Sequence, residues 1–164
     1  MNIETLTAAD VMTRVIVTVK PDESPLMAWE LMRRGGVHHL PVVDDKSRVL
    51  GVLRREDVAV HWSGGPADQS SGEVQKLLGG RRCPHVAADM PVAGIAAVMI
   101  DSDVDVVPVI GPSKMLQGLV TATDVLRAVA GRCMPSTGDT EVATGLFRLE
   151  PVLPPKPSRP FDDA

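Results

Sequence analysis

The chain repeats itself at one fixed distance. Pro41, in His39-Leu40-Pro41-Val42-Val43, and Pro108, in Val106-Val107-Pro108-Val109-Ile110, lie 67 residues apart. The same ungapped spacing of 67 relates Gly51 to Gly118 and Asp57 to Asp124. It also relates Val19 to Val86, Asp22 to Asp89, Met32 to Met99, Val37 to Val104 and Val58 to Val125. Chance supplies one or two such matches. A single offset held from residue 19 to residue 60 points to duplication, so the fold must be built twice from one supersecondary unit.

Local signals spell that unit out. In the first copy, Val15 to Val19 is a β-branched run ended by the turn Lys20-Pro21-Asp22. Ser24 is placed to cap a helix with Pro25 at its first position. Leu26 to Arg34 carries apolar residues at helical spacing, and Gly35-Gly36 supplies the stop. Strands are predicted at Val37 to Val43 and Val49 to Leu53, then a helix at Arg55 to Trp62. The second copy repeats the order with a helix at Pro91 to Ile100, strands at Val104 to Ile110 and Met115 to Val120, and a helix at Thr123 to Ala130. Each unit therefore reads β-α-β-β-α, in a mixed α/β (α+β) fold. Short helices, Ala8 to Met12 and Glu73 to Leu78, are expected ahead of the two units. The expected organisation is repeat 1 at 7–62, a linker at 63–72, repeat 2 at 73–131 and a tail at 132–164. Five prolines, Pro151, Pro154, Pro155, Pro157 and Pro160, make that tail extended or disordered, with one further strand possible in Glu141 to Leu149.

Composition narrows the function. Aromatics are 2% of 164 residues, with no tyrosine, so the core is aliphatic and stacking platforms for nucleic acid are disfavoured. Net charge is −4, with only Arg33-Arg34, Arg54-Arg55 and Arg81-Arg82 as basic pairs, so neither nucleic acid nor an anionic membrane is an expected partner. A small phosphorylated ligand needs only one or two arginines and stays open. Two cysteines, Cys83 and Cys133, make no disulfide framework. With no secretory leader in Met1 to Thr5 and no apolar run long enough to span a bilayer, the expected location is the cytoplasm. No Ser-His-Asp set, acid–base pair or phosphate-binding Gly-Lys-Ser/Thr loop is visible, so no enzyme activity is expected. Cys83-Pro84-His85 lacks the second pair a metal site would need.

The second copy contains Gly118-Leu119-Val120-Thr121-Ala122-Thr123-Asp124, and the first Gly51-Val52-Leu53-Arg54-Arg55-Glu56-Asp57. With the two hydrophobic-Pro-Val strands, these motifs resemble a tandem pair of cystathionine-β-synthase (CBS) domains over roughly residues 7–131, about three quarters of the chain. Arg54 departs from the usual Thr or Ser. The resemblance implies two repeats packed sheet against sheet about a pseudo-twofold axis, with two clefts between them. It implies a regulatory, energy-sensing kind of module that binds AMP, ADP, ATP or S-adenosylmethionine there, requires no cofactor, forms a homodimer and signals to a separate effector protein. It also implies that the strand residues before the prolines, His39-Leu40 and Val106-Val107, border an adenine pocket. Thr18, Val86 and Ala87 would border the cleft from each repeat's first strand.

The residues offer their own chemistry. Thr121 ends a strand and opens a helix, where unpaired amides and the helix dipole favour an anion. Asp124, one turn on, could accept two hydrogen bonds from a ribose diol. The same Thr-x-x-Asp spacing is also a capping box, which needs no ligand. Arg54 could meet a phosphate, pair with Asp57 or Glu56, or lie in solvent. Of His38 and His39, one is expected to face inward, as an inter-repeat histidine or a phosphate contact. The competing function is a ligand-free dimerisation or protein-interaction module.

Overall fold

A computed structural model describes residues 2–62, 71–133 and 138–144. Most of the expected linker and residues 145–164 of the tail lie outside these. Repeat 1 comprises β1 (Val15–Thr18), α2 (Pro25–Gly35), β2 (His39–Val43), β3 (Val49–Arg54) and α3 (Arg55–Val60). Repeat 2 comprises α5 (Val92–Ser102), β4 (Val106–Ile110), β5 (Leu116–Thr121) and α6 (Ala122–Val129). Short helices α1 (Ala8–Val11) and α4 (Val74–Leu77) precede the two units. The last strand is β6 (Glu141–Thr144).

Local chemistry accounts for the helix ends. Ser24 Oγ accepts from the Met27 amide at 3.1 Å, with Pro25 opening α2. Gly36 closes α2 in the left-handed region at φ 62°; 67 residues on, Asp103 does the same for α5 at φ 53°, a conformation Asp tolerates better than most residues.

The duplication is visible in the hydrogen-bond register. His39 pairs with Arg54, Leu40 with Leu53, Pro41 with Val52 and Val42 with Gly51; in the second hairpin Val106 pairs with Thr121, Val107 with Val120, Pro108 with Leu119 and Val109 with Gly118. A bulge follows Val42 in one and Val109 in the other. Between the halves, Arg48 bridges Met115, its own counterpart in the repeat, which is the contact a pseudo-twofold relation places on its axis. Ile16, Val43 and Leu116 bury a small joint cluster there, with Val49, Leu119 and Val142 against it.

One feature of the order differs from expectation. The second unit has no first strand: only Val86 bridges, its amide donating to Pro108 O at 3.1 Å and its carbonyl accepting from the Ile110 amide at 3.0 Å. Val19 does the same against Pro41 and Val43. The extra strand in repeat 1 exists because β6 pairs with it in parallel, Val15 with Glu141 through Thr18 with Thr144. Among the described residues, nothing equivalent pairs with Arg81 to His85, where Pro84 also removes an amide.

The short helices are exchanged between halves. The Ala8 and Ala9 amides bond Met90 O and Ala88 O in the turn of repeat 2, while the Val74 and Gln75 amides bond Glu23 O and Pro21 O in the turn of repeat 1. Leu6, Ala8, Val11 and Met12 accordingly sit in the core of repeat 2, and Val74 in that of repeat 1. This swap gives the motif glycines a packing reason. A Cβ on Gly118 would collide with Met12, and one on Gly51 would meet Leu78 Cδ1 at 2.9 Å.

Candidate functional site

Two cavities of about 370 Å³ each open between the halves. The first, the Thr121 cleft, is lined by Val15 to Val17 and Val37 to His39 from repeat 1, and by Asp105, Thr121 to Asp124 and Arg127 from repeat 2. The second, the Arg54 cleft, is lined by Gly51, Val52 and Arg54, by Arg81 to Pro84, and by Val104, Val106 and Pro108. Arg82 to Pro84 stand 67 positions after Val15 to Val17, and Val104 and Val106 stand 67 after Val37 and His39. The clefts are thus repeat-related, and each takes its helix opening from one half and its strand from the other.

In the Thr121 cleft, β5 ends where α6 begins. The Thr121 amide and Oγ1 donate to Asp124 Oδ2 at 2.9 and 3.0 Å, and Thr121 Oγ1 accepts from the Asp124 amide at 3.4 Å. This is a capping box in full, and it still faces the cavity. Asp124 Oδ1 has a longer contact, 3.3 Å, to exposed Arg127. Of the amides opening α6, that of Ala122 is taken by Asp105 O at 2.8 Å. Across the cavity, His39 Nε2 lies 3.4 Å from Asp105 Oδ1, so the inward histidine is an inter-repeat contact.

The Arg54 cleft is chemically different. The Arg54 amide donates to Asp57 Oδ2 at 2.8 Å, but its side chain cannot reciprocate as threonine does; its Nε stands 3.8 Å from the same oxygen. Arg81 holds Asp57 with a two-pronged fork, Nη1 to Oδ1 and Nη2 to Oδ2, both at 2.9 Å. Burial of Asp57 opposes its ionisation, but the Arg81 hydrogen bonds, the Arg54 amide and the two guanidinium charges outweigh it and hold the carboxyl below its usual range. Cys83 lines the cavity with its thiol pushed up by burial, against the pull of Arg81.

The expected residues divide unequally. Thr121, Asp124 and His39 come together in one cleft, and Arg54 and Val106 in the other. Asp57 sits behind Arg81 and is 8% exposed. Leu40, Val107, Val86 and Thr18 are buried, and their side chains line neither cleft. The alternation of a strand explains this: the residue before each proline turns into the core, and the one before that faces the cavity. Arg81, Arg82, Asp105 and Arg127 went unremarked as site residues; carrying the offset of 67 back from Val15 to Val17 leads to Arg82 through Pro84. Neither tryptophan lines a cleft; Trp29 and Trp62 pack on each other at 6.0 Å, with Arg55 5.8 Å above Trp29. Among the described residues no three His, Cys, Asp or Glu side chains converge as metal ligands, and no helix is long and apolar enough to cross a membrane.

The CBS domain family model matches residues 8–63 and 79–131. A curated relative, the uncharacterized protein MJ1404 of Methanocaldococcus jannaschii, is 28% identical over 138 residues, 82% of this chain and 31% of its own length. The chain spans less than half the length of curated relatives such as this one. Among solved structures, the CBS domain pair of protein MJ0100, in complex with 5′-methylthioadenosine and S-adenosyl-L-methionine, superposes with a TM-score of 0.68 at 22% identity, over 78% of this chain and 98% of that one. CBSX2 in complex with AMP gives 0.66 at 25% identity, over 76% and 96%.

Proposed function

The chain belongs to the CBS domain family, and on that premise we propose that it is a non-enzymatic regulatory module that binds an adenosyl ligand in the Thr121 cleft and passes occupancy to a separate protein. One observation carries this: Thr121 and Asp124, at the opening of α6, face Val15 to Val17 and His38-His39 of the other repeat across a cavity of about 370 Å³. That size suits a small ligand buried on most sides. Aliphatic Val15, Ile16 and Val17 offer a base its apolar wall, and Asp124 Oδ1, held among the described residues by exposed Arg127 alone, offers a ribose hydroxyl its acceptor. AMP bound to CBSX2 supports the ligand class. Because residues from both repeats meet in the cleft, a ligand that favours one placement of the halves shifts their equilibrium, which is the physical content of sensing.

The second reading, a ligand-free interaction module, is favoured by the completed Thr121–Asp124 cap and by exposed Val60, Ile100, Leu126 and Val129 on α3, α5 and α6. Those side chains also support a homodimer. Free Cys83 and Cys133 are consistent with a reducing cytoplasm. A thermal-shift screen against AMP, ADP, ATP and S-adenosylmethionine separates the readings. Stabilisation by at least one supports the sensor, and a flat response to all four supports the interaction module.

A further inference from the structure

The two clefts descend from one repeat but carry different charge. The charged groups lining the Thr121 cleft are Asp105, Asp124 and Arg127, beside two histidines. Those lining the Arg54 cleft are Arg54, Arg81, Arg82 and a single acid, Asp103. The acid that corresponds to Asp124 is withdrawn: Arg81 lies between Asp57 and the cavity and covers both of its carboxylate oxygens, at 2.9 Å each. A sugar diol entering here would meet a guanidinium where the Thr121 cleft presents a carboxylate. Arg54 contributes a partly exposed guanidinium, 3.8 Å from its nearest acid, and exposed Arg82 forms no ion pair among the described residues.

We infer that the Arg54 cleft is an anion site that grips a phosphorylated ligand by its phosphates, through Arg54 and Arg82, with no use of a ribose diol. The inference rests on the proposal that the inter-repeat clefts hold ligands, but not on what occupies the Thr121 cleft. Bidentate guanidinium–phosphate pairing suits it, since the cleft offers the forks of Arg54 and Arg82 against one acid, Asp103, and the carboxylate that corresponds to Asp124 is covered by Arg81. A nucleoside polyphosphate and a free polyphosphate share this chemistry.

Calorimetry of the full chain tests it with sodium tripolyphosphate as probe. Binding is expected at one site per chain, weakening with salt, and about tenfold weaker in Arg82→Ala and in Arg54→Ala. Arg82 is exposed, so its variant folds even if the Arg54 variant does not. In an Asp124→Ala background, which removes the Thr121 cleft's diol acceptor, ATP and 2′,3′-dideoxy-ATP are expected to bind equally. There, ATP binding tenfold tighter than tripolyphosphate identifies a nucleotide as the ligand, and equal affinity a free polyanion; both agree with the inference. No tripolyphosphate binding, wild-type affinity in both arginine variants, or a tenfold preference for ATP over its dideoxy analogue in that background overturns it. Adenosine titrated into the wild-type chain and into Asp124→Ala reads the Thr121 cleft separately, so the two proposals fail independently.

Discussion

Replacing Gly118 by alanine tests whether the exchanged helices hold the halves together. Gly118 does not have positive φ, so alanine meets no backbone strain there; without a neighbour, the change would be neutral or stabilising by about 0.4–1 kcal/mol through the unfolded chain. The neighbour is Met12, just past α1, 2% exposed in the core of repeat 2. The new methyl would run into Met12 Sδ, Cγ and Cβ. Because Cβ is tied to the backbone, rotation of the methionine alone cannot clear the space. Overpacking of this kind costs about 1–3 kcal/mol. Gly51→Ala is the internal control: its methyl meets only the ends of Leu78, at 2.9 and 3.1 Å, and Leu78 is partly exposed, so the loss should stay under about 1 kcal/mol. Met12→Ala alone should cost about 2–5 kcal/mol as a buried truncation. With the clash removed, the double variant Met12→Ala/Gly118→Ala should be no less stable than Met12→Ala, a coupling of at least about 1 kcal/mol. Urea unfolding followed by circular dichroism, with slopes compared to confirm a common transition, measures all four. Gly118→Ala within about 0.5 kcal/mol of wild type, or a double variant that loses the sum of the singles, would refute the packing account.

Asp124→Ala should weaken adenosyl-ligand affinity about 10- to 100-fold, the loss of one or two charge-assisted hydrogen bonds, and unchanged affinity by calorimetry would remove Asp124 from the site. Asp57 is held ionised in the fold, so its contribution to stability is present above the carboxylate's unfolded pKa and disappears as pH falls through its lower folded value. The stability gap between wild type and Asp57→Asn should therefore narrow from pH 6 towards pH 2, which urea midpoints across that range will show. Truncation after Cys133 removes β6 from β1 and Val142 from the joint cluster; faster amide exchange at Val15 to Thr18 and a lower Tm are expected, and an unchanged Tm would mean that β6 adds nothing. Ile100→Glu or Leu126→Glu should shift a dimer towards monomer in light scattering if the exposed helices form its interface.

Much of this was legible in one dimension. An offset of 67 survives folding unaltered because both copies use the same register, so Pro41 and Pro108, or Gly51 and Gly118, occupy equivalent hairpin positions. Caps at Ser24 and Thr121 and the stop at Gly36 are local chemistry, written within four residues of where they act. The Thr-x-x-Asp spacing left two readings open, and the structure shows the cap formed and facing a cavity at once.

What spacing alone could not supply is partnership between distant segments. Which side chains of the two Pro strands face the cleft was not legible, and Leu40 and Val107 turn out buried, because a strand's two faces are told apart only by what lies on each, and that is set by the other half of the molecule. Likewise no local pattern reveals that α1 belongs to the core of repeat 2, that Met12 is why Gly118 lacks a side chain, or that β6 gives repeat 1 its first strand. The clearest case is Asp57. By sequence it is the twin of Asp124; in the fold Arg81, 24 residues away, reaches it with both nitrogens and turns one of two equivalent clefts basic. Sequence by itself determined the unit and its duplication, because hydrophobic period, turns and caps are short-range. Tertiary structure alone decided which duplicated residues still face a cleft, because that depends on charges and side chains brought together from the other repeat.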